Sequence, residues 1–178
     1  LKETLFDQKT SVVLTGATLS SSGSFASFHK KLGIDSTKEI SLGSPFDYRR
    51  ILLCIAEDMP EPGSKDYDSR LASAISQLVS ISGGKAMALF TSNSTLKSVY
   101  NAIAEPMNKE NINVLAQGIN GYPAQLVDSF INNSKSVILG TNSFWEGVDI
   151  PGVNLKLLLI TKLPFDVPTD PVFQARSE

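Results

Sequence analysis

Apolar residues along this chain fall into two alternating rhythms. Short runs recur at 11–15 (SerValValLeuThr), 50–55, 86–91 (AlaMetAlaLeuPheThr), 113–116, 136–140 (SerValIleLeuGly) and 155–161 (LeuLysLeuLeuLeuIleThr). Most are unbroken rather than alternating, the pattern of strands covered on both faces. Between them apolar residues return every three or four positions. Leu71, Ala74, Ile75 and Leu78 predict a helix over 67–81. Leu96, Val99, Tyr100, Ile103 and Met107 predict another over 94–107. Leu126, Val127, Phe130 and Ile131 predict a third over 123–133, with Pro123 suited to its first turn. A weaker helical pattern covers 23–32. Strand–helix–strand alternation with short loops predicts an α/β fold, a mostly parallel sheet with helices on both faces.

Three features sharpen the picture. IleSerGlyGlyLys at 81–85 reads as a helix-ending turn before the next strand. It is not a phosphate-binding Walker loop, which needs a Gly five residues before the GlyLys pair and a Ser or Thr after it; Val79 and Ala86 stand there. Residues 57–65 (GluAspMetProGluProGlySerLys) read as a surface loop. No linker divides the chain, so 1–178 is expected to form a single domain, and both ends look cut from a longer protein.

Composition removes several classes of function. The chain has 178 residues, 42% of them hydrophobic, and a net charge of −2, which excludes a disordered segment. Cys54 is the sole cysteine and His29 the sole histidine, so neither a disulfide framework nor a four-ligand zinc site can be built. Cys54 in an apolar run reads as a small core hydrophobe of a reducing, cytoplasmic compartment. His29, beside Lys30 and Lys31, has no nucleophile near it in a triad pattern and reads as a solvated or capping histidine. No run approaches membrane-spanning length, so no membrane partner is expected. Lys and Arg are uneven: 7 of 16 lie in the first fifty residues, and 101–150 holds only Lys109 and Lys135. A strong basic footprint for nucleic acid is therefore missing.

In a parallel α/β sheet, ligands bind outside the carboxyl ends of the strands. The segments that follow the predicted strands are Thr15-Gly16-Ala17-Thr18, Thr91-Ser92-Asn93, Gln117-Gly118, and the run from Gly140 through Ser143, Phe144, Trp145, Glu146, Gly147 and Asp149 to Gly152. Each alone is explained by ordinary helix capping. Together they place small, hydroxyl and amide residues at one edge, a composition suited to phosphates. Glu146 and Asp149 are the only carboxylates in a Gly-bounded loop between strands, so they are the candidate catalytic pair, with nucleotide or metal-shell contact favoured over acid–base pairing. Trp145 reads as an anchor of that loop on the core.

SerPheTrpGluGlyValAspIleProGly (143–152) resembles motif V of the DinG branch of the XPD-like superfamily 2 DNA helicases. Other elements agree in order. ValLeuThrGlyAlaThrLeu (13–19) resembles motif III, and SerProPheAspTyr (44–48) a DinG signature. LeuPheThrSerAsnSerThrLeu (89–96) resembles motif IV, AlaGlnGly (116–118) a Gln-Gly element, and 162–171 the segment after motif V. The resemblance implies a RecA-like three-layer α/β/α domain, the second motor domain of an ATP-dependent DNA helicase, ending before motif VI. It implies ATP and Mg2+ as cofactors of the intact protein, and single-stranded DNA and the first motor domain as partners. Thr15, Gly16, Ala17, Thr18, Gly147 and Asp149 would face the nucleotide, with Glu146 orienting their loop. Thr91, Ser92, Asn93, Gln117, Gly118 and Ser143 would meet DNA. The family's ThrSerAlaThr is here ThrGlyAlaThr, which trades a hydroxyl for backbone freedom at Gly16. With no Walker A loop, DEAH box or motif VI, the chain alone is expected to bind no cofactor and hydrolyse no ATP. The alternative is a non-catalytic RecA-like module that binds nucleic acid or a partner protein.

Overall fold

A computed structural model describes residues 2–35, 37–44, 47–133, 135–146, 148, 150 and 155–165. The chain forms two compact units, Leu1–Cys54 and Ile55–Glu178.

The first unit is built mainly from turns. Its helix α1 spans Ala26–Leu32 and stops at Gly33 in the left-handed conformation. Lys2 and Asp35 form an ion pair, which lowers the Asp35 pKa and raises that of Lys2. His29 sits in the last turn of α1, its Nε2 3.0 Å from Thr37 Oγ1 and 3.3 Å from Glu39 Oε1. The expected strands at 11–15 and 50–55 do not form: both stretches are irregular, with Val13 87% and Leu52 86% exposed. A strand needs a neighbour to satisfy its N–H and C=O groups, and no described residue pairs with either run. Cys54 is accordingly exposed, not a core residue.

The second unit carries the predicted alternation. Its elements are α2 (Tyr67–Ser82), β1 (Ala86–Leu89), α3 (Asn93–Lys109), β2 (Asn113–Ala116), α4 (Pro123–Asn132), β3 (Ser136–Gly140), α5 (Asn142–Trp145) and β4 (Leu157–Ile160). The strands make one parallel sheet in the order β2-β3-β1-β4. Register runs Ala86 against Val137 and Leu157, and Val114 against Val137. The RecA-like α/β reading thus holds.

Alternate side chains leave the sheet on opposite faces. Ala86, Ala88, Val114, Val137 and Leu139 meet Ile75 and Val79 of α2 and Leu96, Val99, Ile103 and Met107 of α3. Met87, Leu89, Leu115 and Ile138 meet Leu126 and Phe130 of α4 and Phe144 of α5. Both faces of β1, β2 and β3 are buried, which is why these strands read as unbroken apolar runs; in β4, at the sheet edge, Leu158 and Ile160 are each 50% exposed. Pro123 opens α4, and Gln125 Oε1 accepts from the Tyr122 N–H at 3.1 Å, closing the first turn.

The Gly83-Gly84 turn ends α2 as expected. The Gly83 N–H donates to the Ser80 carbonyl and the Gly84 N–H to the Val79 carbonyl, each at 3.1 Å. These are the two bonds of a Schellman cap. Gly84 has φ +84° and backs onto the start of β3: a Cβ there would stand 2.8 Å from Ser136 N and 2.9 Å from Lys135 Cα. Gly118 has φ +75° with open space around it. Gly84→Ala should therefore cost about 2–4 kcal/mol, and Gly118→Ala only the strain of about 1 kcal/mol. Urea midpoints of the two variants check this, and equal losses would show that the contact with β3 is immaterial.

Candidate nucleic-acid interface

All four parallel strands end at the same edge of the sheet, and four loops meet there. After β1, Ser92 caps α3: its Oγ accepts from the Thr95 N–H at 3.4 Å and lies 2.6 Å from Ser94 Oγ. Thr91 and Asn93 beside it are exposed. Ser92 forms the first turn of a 17-residue helix, where free N–H groups and the helix dipole favour anions.

After β2, Asn120 Oδ1 accepts from the Ala116 N–H at 2.8 Å and folds the loop back on itself, leaving Gly118 exposed. Gln117 is partly buried and reaches across to the loop after β3. Its Oε1 accepts from the Thr141 N–H at 2.9 Å and from Thr141 Oγ1 at 3.2 Å. Its Nε2 donates to Ser143 Oγ at 3.4 Å.

After β3, Phe144 is buried, and Trp145 Nε1 donates to the Phe90 carbonyl at 3.1 Å. Trp145 thus anchors its loop to the end of β1, as its size suggests. Glu146 follows on the surface, in no ion pair among the described residues. After β4, Thr161 bonds the Leu89 carbonyl twice, through its N–H at 3.1 Å and its Oγ1 at 3.0 Å. Tyr67 at the start of α2 donates its O–H to the Thr161 carbonyl at 2.8 Å. Burial pushes the Tyr67 phenol above its ordinary value; that hydrogen bond acts the other way, and the nearby Asp68 charge adds to the rise.

Between the loops after β1 and β4 and the start of α2 lies an open cleft of about 300 Å3, lined by Tyr67, Phe90, Thr91, Ser92, Thr161 and Lys162. A wider recess of about 570 Å3 adjoins it, with Lys65, Asp68, Thr95 and Ser98 on its walls. Gly63, Ser94 and Thr95 line both. The sequence reading missed Lys65 and Lys162. Lys65 sat in a stretch read only as a surface loop, and Lys162 was not singled out in the segment after the last strand. A lysine two residues past the carboxyl end of a parallel strand was the available signal for Lys162.

The structure therefore brings Thr91, Ser92, Asn93, Gln117, Gly118, Ser143 and Glu146 to one edge. Thr15, Gly16, Ala17 and Thr18 lie exposed in the other unit. Gly147 and Asp149 lie outside the described residues. Among the described residues no three His, Cys, Asp or Glu side chains cluster as metal ligands, and no helix is long and apolar enough to cross a membrane.

Comparison with known proteins agrees with this architecture. The family described as "Helicase C-terminal domain" matches residues 75–178. The chain belongs to that family, on its DinG-type branch. It is 36% identical over 185 residues to "3'-5' exonuclease DinG" of Bacillus subtilis, an alignment that takes in all of this chain and 20% of that protein. It is 33% identical over 178 residues to "ATP-dependent DNA helicase YoaA" of Escherichia coli, with 99% of this chain and 27% of the relative covered. It is 32% identical over 173 residues to "ATP-dependent helicase DinG" of Mycobacterium tuberculosis, with 94% and 26% covered. The chain thus spans about a fifth to a quarter of these curated relatives.

The loop after β3 should depend on the indole bond. Trp145→Phe keeps most of the apolar contact but leaves the Phe90 carbonyl without its partner. A loss of about 1–2 kcal/mol is expected in urea denaturation. No loss would mean that the indole bond contributes nothing to holding this loop.

Proposed function

We propose that residues 1–178 act as the second motor domain of an ATP-dependent DNA helicase or translocase and grip single-stranded DNA by its phosphate backbone. The observation that carries this reading is the set of strand-end loops at one edge. They offer hydroxyls, backbone amides, the start of α3 and Lys162, in a chain of the helicase C-terminal family. Such groups bind phosphate and sugar and carry no base code, as a protein moving along any sequence requires. Thr91, Ser92, Asn93, Gly118 and Ser143 take the backbone contacts, with Lys65 and Lys162 supplying charge. Ser143 accepts from Gln117 and retains its own O–H to donate. The names of the relatives from Escherichia coli and Mycobacterium tuberculosis support ATP-dependent work, on DNA in the first case.

Among the described residues no three His, Cys, Asp or Glu side chains cluster as metal ligands, and Glu146 has no ion-pair partner. In this proposal the nucleotide lies in the cleft with the first motor domain of the same protein. Thr15, Gly16, Ala17, Thr18, Gly147 and Asp149 face it there, with Glu146 orienting the loop, and no step of hydrolysis is assigned to this chain alone. The non-catalytic alternative predicts DNA or protein binding without turnover.

Single-stranded DNA binding and DNA-stimulated ATP hydrolysis by the full-length protein test the reading. Lys162→Ala should weaken binding about equally for all sequences and reduce the salt slope by roughly 0.7, the value for one lost contact on a single strand. Sequence-selective weakening would exclude a backbone grip. Asp149→Ala should lower DNA-stimulated turnover about ten-fold with little change in melting temperature, since one charge-assisted bond is worth roughly 1.5–3 kcal/mol. Full turnover per folded molecule together with a lowered melting temperature would make Asp149 a turn cap only.

A further inference from the structure

We propose that Gln117 is a positioning residue for the loop after β3 and does not touch nucleic acid, an inference that rests on the motor reading above. Three of the four hydrogen-bonding positions of its amide are taken inside the protein: two acceptor positions by Thr141 and one donor by Ser143. The Thr141 N–H can only donate, so it fixes which end of the Gln117 amide is oxygen. Thr141 is 7% exposed, and its amide has no other acceptor among the described residues. Removing Oε1 therefore strands a buried donor, the costly way to break a hydrogen bond.

The bond is placed where it can set a geometry. The Gln117 N–H donates to the Leu139 carbonyl at 3.0 Å, so its backbone continues the β2–β3 ladder and is held by the sheet. From that fixed point the side chain holds Thr141. The Thr141 carbonyl in turn accepts from the Phe144 N–H at 2.7 Å and closes the turn that becomes α5. At the far end of α5, Trp145 is tied to the Phe90 carbonyl. The loop is thus clamped at its start by β2 and at its end by β1. Glu146 follows directly on the second clamp. Gln117 acts on the nucleotide-facing residues only through Thr141 and Ser143, while occupying an edge that otherwise faces DNA.

A mutant cycle in the full-length protein separates this role from a DNA contact. Gln117→Leu removes all three bonds at similar volume. It should lower DNA-stimulated kcat about ten-fold while leaving the single-stranded DNA Kd within two-fold. Thr141→Val removes the hydroxyl arm of the same link, so adding it to Gln117→Leu should lower kcat no further. Gln117→Glu still accepts from the Thr141 N–H and hydroxyl, so its kcat should recover to well above that of Gln117→Leu. If Gln117 touches phosphate, the order reverses: the added charge makes Glu the worse variant, and Kd rises for both. Additive losses in the cycle, or a Kd that rises with the fall in kcat, overturn the inference alone. Wild-type protein without DNA-stimulated turnover overturns the motor reading and this inference together. If Gln117→Leu folds poorly, Gln117→Glu against wild type still decides: a large rise in Kd refutes the positioning role, and near-normal kcat and Kd support it.

Discussion

A parallel strand cannot reach its neighbour by a hairpin; the chain must return over one face of the sheet before it can run in the same direction again. That constraint shapes the second unit. The returns through α3 and α4 bury both faces of β1, β2 and β3. Those three strands must then be largely apolar on both sides, which leaves little room for polar chemistry in the sheet itself. Polar groups are displaced to the strand ends, and parallel running puts all carboxyl ends at one edge. The hydroxyls, amides and glycines that follow β1, β2, β3 and β4 meet there because of strand direction.

Loops gathered at an edge are useful only if held, and here backbone carbonyls at strand ends do the holding. Thr161 takes the Leu89 carbonyl, Trp145 the Phe90 carbonyl and Tyr67 the Thr161 carbonyl. Each donor is a side chain from a different loop or helix, so the loops after β1, β3 and β4 are cross-linked through the sheet. A carbonyl just past a strand end is rigid, and bonding to it transfers that rigidity to a loop that has no core of its own. Gln117 extends the scheme by clasping a backbone N–H instead.

The three long helices of the second unit and its strands were legible in the sequence because periodicity and unbroken apolar runs report burial, and burial is deepest in β1, β2 and β3; the short α5 carries no such period and was not predicted. Leu71, Ile75, Val99 and Met107 lie on the repeating positions and are buried, whereas Leu78 is exposed and Val79 takes its place in the core. The turn at Gly83 and Gly84 was legible for a local reason, the left-handed φ that a Schellman cap demands. The runs at 11–15 and 50–55 misled because apolar composition reports what a segment prefers, while a strand also requires a partner. Lys65 and Lys162 escaped because exposed lysines carry no periodicity. The link from Gln117 to Thr141 escaped for a deeper reason: it joins positions 24 residues apart through side-chain geometry that no spacing encodes.

The weak charge of the edge is itself informative about what it can bind. Two lysines, helix N–H groups and hydroxyls give an attraction to phosphate that is modest per contact and partly neutral. A dense basic stripe would bind more tightly and release more slowly, since each added phosphate contact deepens the electrostatic hold. A motor that steps must let go in every cycle. In the proposed role, therefore, neutral donors are the better choice of grip: they discriminate a backbone by geometry while keeping each contact cheap to break. Two RecA-like domains alternating such holds would move along a strand without either becoming trapped on it. In the proposed role, acids near the cleft such as Asp68 would lower its general attraction for polyanions. Selectivity at this edge then rests on where the strand-end loops are held, which returns the burden to the carbonyl and amide clamps that hold them.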